Sequence, residues 1–211
     1  MKKIIGILCG VLVISFYCSN AFAMTFKDNG TVFLARNNRG DNTIGVMGNS
    51  EVYVLSSTGE KLKFVRHFED YNNAYIKLMS ADGQKDYLSF PVKKYISSTI
   101  SVKEVQGINP NIKFWIVRSI HGVSDSACDG FWVIGPYENK YIPYVTLDGL
   151  QKAGLEGYEV SSKITNGYFQ IQGFVRNRGN DLSRTGEMDS LKSTMLLFWD
   201  DEAHWFGISK N

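Results

Sequence analysis

The densest group of chemistry-bearing side chains in this 211-residue sequence is Asp200-Asp201-Glu202-Ala203-His204, three carboxylates and an imidazole in five consecutive positions. Such a set has the donors to hold a hard cation or to move protons. A calcium loop, however, needs a glycine at its sharp bend and acceptors graded along its length, and this stretch has neither. In a short turn successive side chains diverge. The composition is that of a solvated hairpin tip, bracketed by Trp199 and Trp205. These two indoles are the pair best placed to reach a surface, so Trp199, Trp205, Asp201 and His204 are the candidate ligand-binding residues.

Cys128 lies in His121-Gly122-Val123-Ser124-Asp125-Ser126-Ala127-Cys128-Asp129-Gly130, where a thiol and an imidazole stand within one loop. A thiolate nucleophile would need cationic surroundings, and Asp125 and Asp129 push a thiol the other way. A small apolar residue packed under the next strand is the preferred reading. His67, His121 and His204 are the only histidines and show no paired spacing, so no zinc ligand set is expected, and no cofactor. Phosphate loops, a Gly-x-Ser-x-Gly elbow, His-Glu-x-x-His and an EF-hand loop do not occur in the sequence. Arg39-Gly40-Asp41 spells an adhesion tripeptide, but three common loop residues meet in that order by chance.

The elements that must position these groups read as hairpins. Runs rich in Val, Ile, Phe, Tyr, Trp and Thr are separated by turn residues, the pattern of antiparallel strands. The strongest signal is Asn166-Gly167 between Tyr158 to Thr165 and Tyr168 to Val175, since Asn-Gly supplies the positive φ angles of a type I′ turn. Four more hairpins are predicted: 51–56 with 61–68, 74–79 with 86–90, 131–136 with 141–147 around Glu138-Asn139-Lys140, and 195–199 with 204–208. One short helix is predicted over Asp148 to Ala153, capped by Thr146 or Asp148 and ended by Gly154. Pro91 to Ile96 suggests a second helical turn. Phe114-Trp115-Ile116-Val117 and Phe131-Trp132-Val133-Ile134 are apolar on both sides, so these two strands belong at the centre of the fold.

The fold class that follows is mainly β: a single-domain antiparallel meander of hairpins, arranged as a sandwich or barrel. A trefoil or propeller-like repeat is the alternative, suggested by Arg36, Arg118 and Arg176 at matching places and by the likeness of Arg36 to Asp41 and Arg176 to Asp181. Their unequal spacings argue against it.

Residues 1–23 read as a cleaved signal peptide: Lys2 and Lys3, an apolar run from Ile4 to Phe16, and the small-x-small site Ala21-Phe22-Ala23. The run is shorter than the roughly 20 residues that cross a bilayer, and bulky Phe16 and Tyr17 before Cys18 disfavour a lipoprotein. The expected product is a single β-rich domain, 24–211, exported to the periplasm or beyond, with no stable membrane insertion. Cleavage removes two of the 23 basic residues and none of the 21 acids, taking the formal charge from +2 to zero. A neutral chain has no global field to draw it to nucleic acid, so nucleic-acid binding is not expected. Cleavage also removes two of three cysteines, leaving Cys128 without an intrachain partner.

Four Trp, eleven Tyr and thirteen Phe supply most of the core volume, and exported binding modules expose a few such rings to stack on ligands. The expected function is therefore a noncatalytic binding or interaction module of the bacterial cell envelope, its partner an envelope glycan or protein whose identity the sequence leaves open, as it does the oligomeric state. The alternatives are a small secreted hydrolase assembling His121, Cys128 or Asp201 from its loops, and a structural envelope protein.

Overall fold

Asn166 and Gly167 adopt φ of 53° and 82° between two strands paired up to Thr165↔Tyr168, the geometry their residue types demand. The computed structural model describes residues 26–36, 50–70, 73–91, 98–107, 112–121, 128–157, 159–175, 190–200 and 202–210. The leader (1–23) with Cys18, Arg39-Gly40-Asp41, 92–97, Asp125, Arg176 to Asp181 and Asp201 lie outside the described residues, as do the side chains of Arg36, His67, His121, Cys128 and Asp129.

The strands are β1 (Phe26–Arg36), β2 (Ser50–Leu55), β3 (Lys61–Asp70), β4 (Asn73–Ser80), β5 (Asp86–Pro91), β6 (Ser98–Gly107), β7 (Lys113–His121), β8 (Cys128–Tyr137) and β9 (Lys140–Thr146). Helix α1 (Leu147–Lys152) follows, then β10 (Glu159–Thr165), β11 (Tyr168–Val175), β12 (Ser190–Asp200) and β13 (Trp205–Lys210). All five predicted hairpins form. Two local readings are corrected. Lys140 pairs with Tyr137, so the third predicted turn has only Glu138 and Asn139 in it, with Glu138 at φ 53°. Cys128 pairs through its backbone with Ile120 and opens β8 rather than sitting in a loop.

The fold is all-β and antiparallel, in three sheets ordered β2-β3-β4-β5, β1-β6-β7-β8-β9 and β10-β11-β12-β13. Each contains one four-stranded meander, and β1 extends the middle one. The repeat drawn from Arg36 is therefore misphased: β1 leaves its sequence neighbours and pairs with β6. The positions that do correspond carry Val-Arg. Val65-Arg66 and Val117-Arg118 lie in the second strand of the first two meanders, and Val175 closes the second strand of the third, just before Arg176.

The middle sheet is buried on both faces, as its apolar runs require. Phe114 and Ile116 of β7 and Phe131 and Val133 of β8 face a core shared with Val160, Phe169, Ile171, Leu197 and Trp199 of the β10–β13 sheet. Trp115, Val117, Trp132 and Ile134 face a second core shared with Val52, Leu62, Phe64, Ile76 and Phe90 of the β2–β5 sheet. Trp132 is 8% exposed and stacks on Phe90 at 4.5 Å. Its indole lies over Gly130, where a Cβ would come within 2.2 Å of the ring. Helix α1 closes an edge of the first core through Leu150; Thr146 caps it by accepting the Gly149 N–H at 3.0 Å, and Gly154 takes φ 97° after it. Among the described residues no helix is long and apolar enough to cross a membrane.

Candidate functional site

Strand registers bring the tight turns 56–60, 81–85, 138–139, 166–167 and 202–204 to one end of the molecule. Contacts between sheets fix this: the Lys113 ammonium donates to the Leu55 carbonyl, Tyr87 meets Tyr141, and Tyr144 meets Trp205. The candidate residues Trp199, His204 and Trp205 all lie at this turn end.

They do not form a catalytic or metal-binding cluster there. Asp200 Oδ1 accepts the backbone N–H groups of Glu202 and Ala203, both at 2.9 Å, so this carboxylate holds the turn together. His204 takes φ 49° and is exposed. Among the described residues no three His, Cys, Asp or Glu side chains gather closely enough to hold a metal ion. The paired-tryptophan expectation is corrected for one member. Trp199 is 3% exposed, because β12 alternates and residues 195, 197 and 199 all face the core. Trp205 is 45% exposed.

What the turn end presents instead is an aromatic assembly. Trp199 is enclosed by Phe114, Tyr144 and Phe206 at 5.0–5.3 Å between ring centroids, with His204 at 6.5 Å. Its indole N–H is buried and has no hydrogen-bond partner among the described residues. The ring of Trp205 rests against Tyr144 at 5.1 Å and 63°. Tyr144 is in turn fixed by donating its hydroxyl to the Pro136 carbonyl at 2.6 Å. Burial, reinforced by nearby Tyr137, pushes the Tyr144 hydroxyl up to about 12, so it stays neutral and keeps donating. Tyr137 is exposed at the neighbouring turn, with the Lys140 ammonium 5.7 Å from its ring centre.

Trp205 is thus a partly exposed indole on a rigid, neutral support. Such a ring can stack on an apolar ligand face with little further loss of freedom. Sequence reasoning named Trp205 and missed Tyr144 and Tyr137. The signal was Tyr137, Tyr141 and Tyr144 clustered about one tight turn, hidden because tyrosine is also an ordinary strand residue.

Across the middle sheet the same end carries a second group. Tyr87 donates its hydroxyl to Glu60 and lies edge-on to Tyr141 at 5.4 Å, while the Lys85 ammonium sits 4.5 Å above its ring. Tyr141 shares a hydrogen bond with Ser56 and rests on Trp115 at 5.5 Å. The hydrogen bond to Glu60, aided by burial, pushes the Tyr87 hydroxyl up to about 12. No family model, curated protein or solved structure matches the chain.

Proposed function

We propose that the chain is an exported, noncatalytic binding module of the bacterial cell envelope that contacts its ligand at the turn end through Trp205. The observation that carries this reading is the pairing of exposure with support: an indole 45% exposed, held from below by a buried tyrosine whose own hydroxyl is satisfied. Envelope glycans fit this surface, since the C–H face of a sugar ring stacks on a fixed aromatic and needs no charged partner. The neutral charge left after removal of residues 1–23 agrees with an uncharged ligand. Export rests on Lys2, Lys3, the apolar run and Ala21-Phe22-Ala23.

Two measurements test it. Mass spectrometry of the protein made in a bacterial host should find Met24 at the amino terminus; an uncleaved chain, or diacylglycerol on Cys18, removes export from the reading. A thermal-shift screen against soluble envelope polysaccharide fragments should raise the melting midpoint of the wild type by mass action and leave that of Trp205→Ala unmoved. Equal shifts in both proteins would take the site away from Trp205.

A further inference from the structure

Six strands stand at sheet edges, and an open edge is a template for another strand unless something blunts it. Five edges carry such a device. β1 has a bulge between Asp28 and Val32, β5 a register break opposite Leu78 and Met79 with Pro91 at its end, and β9 has Pro143. β10 has the exposed Lys163, and β2 the exposed Glu51 paired with Lys63. β13 differs. It pairs with β12 without a shift from Met195↔Lys210 to Asp200↔Trp205, and its interior, Phe206-Gly207-Ile208-Ser209, holds neither charge nor proline. Trp205 and Ile208 are both exposed, Ile208 by 42%. Among the described residues no strand pairs with its outer side.

We propose that the open edge of β13 pairs antiparallel with β13 of a second copy of this chain, joining two four-stranded sheets into one of eight strands. A two-fold axis normal to the sheet relates the copies, so residues of like parity stand opposite one another. The register that keeps Trp205 within the pairing is centred on Gly207, with Phe206 opposite Ile208 and Trp205 opposite Ser209. Ile208 lies on the core face of β13, two residues on from Phe206, and so gains a cross-strand apolar neighbour. Charge selects the occupant and its direction. β13 begins at an acidic turn with the exposed Glu202 and ends at Lys210. In the antiparallel register Lys210 stands opposite His204 of the second copy, beside its acidic turn, and the two-fold repeats this at the other end. A parallel pairing would set acid against acid.

The association goes beyond the binding reading and does not need it. Its test is sedimentation equilibrium of the processed chain across micromolar concentrations. The wild type should show a monomer–dimer equilibrium. Ile208→Lys places a charge at an exposed edge position and should raise the dimer dissociation constant by about tenfold or more with circular dichroism unchanged. Glu202→Lys should weaken the dimer, and adding Lys210→Glu to it should restore association; this pair keeps the test decisive should Ile208→Lys fold poorly. A wild type that stays monomeric, a dimer indifferent to Ile208→Lys, or a charge swap that fails to restore association overturns the proposal.

Discussion

The two flanks of the turn end use the same residue types to opposite effect. On the β2–β5 side, Tyr87, Tyr141 and Trp115 each spend their polar atom within the protein, on Glu60, Ser56 and, at 3.5 Å, Glu104. Lys85 covers the Tyr87 ring. On the β10–β13 side Tyr144 is satisfied by Pro136, but the Trp199 N–H has no partner among the described residues and the Trp205 indole is left partly in water. One flank is closed upon itself and seals a core. The other ends in an unfinished aromatic surface. Aromatic content alone therefore does not mark a binding site; what marks it is an aromatic group with interactions still to make and a fixed support beneath it.

The buried members of the two flanks should be the most costly to remove. Trp132→Ala and Trp199→Ala each empty a core site bounded by other rings and should lose about 3–5 kcal/mol in urea melts. A nearly neutral Trp132→Ala would break the assignment of the middle sheet as buried on both faces. Trp199→Phe sharpens the comparison: it deletes the orphan N–H while keeping a ring, and should cost less than Trp115→Phe, which forfeits the contact with Glu104.

Gly207→Ala tests the packing beneath the open flank. A Cβ there would fall 2.3 Å from the Phe198 ring of the neighbouring strand. The ring must move, and overpacking of this kind costs on the order of 1–3 kcal/mol. Unchanged stability in the same melts would mean that Phe198 is free to swing away, and that β13 is held less firmly than its unbroken register implies.

The closed flank has a pH signature. The Tyr87 and Tyr144 hydroxyls are both raised from 10 to about 12, the first mainly by its bond to Glu60 and the second mainly by burial. A raised tyrosine favours the neutral form in the fold, so its contribution is intact below pH 10 and is lost as pH climbs from 10 toward 12. Tyrosinate absorbance should show two late-titrating groups in the native protein. Glu60→Gln should bring Tyr87 back toward 10 and leave Tyr144 where it is; movement of both would mean that the flanks are not independent. Tyr87→Phe should cost about 0.5–1.5 kcal/mol below pH 10.

Much of this arrangement is legible in the residues themselves. Asn166-Gly167 dictates its turn, and the runs around Trp115 and Trp132 announce strands with no wet face. Thr146 and Gly154 bracket the helix to within one residue. What escaped was long-range: β1 crossing to pair with β6 depends on a partner more than sixty positions away, which local pattern does not encode. The same limit applied at the candidate site. Trp199 and Trp205 flank one turn and look equivalent in sequence, yet the alternation of β12 turns the first toward the core. Tyr144, the support for Trp205, comes from another sheet altogether.

The smallest expected change in stability is also the most informative about function. Trp205 touches Tyr144 on one side and solvent on the other, so Trp205→Ala uncovers little core and should lie within about 0.5–1 kcal/mol of wild type. If the indole is a ligand platform, that near-neutral variant should still lose glycan binding, and Trp205→Phe, which keeps a flat ring on the same support, should recover part of it. Tyr137→Ala, one turn away, should weaken binding less. A platform and a core residue are thus separated by one pair of measurements: the platform loses affinity without stability, and the core residue loses stability first. Should Trp205→Ala prove as destabilising as Trp199→Ala, the indole belongs to the seal, and the two flanks of the turn end are alike after all.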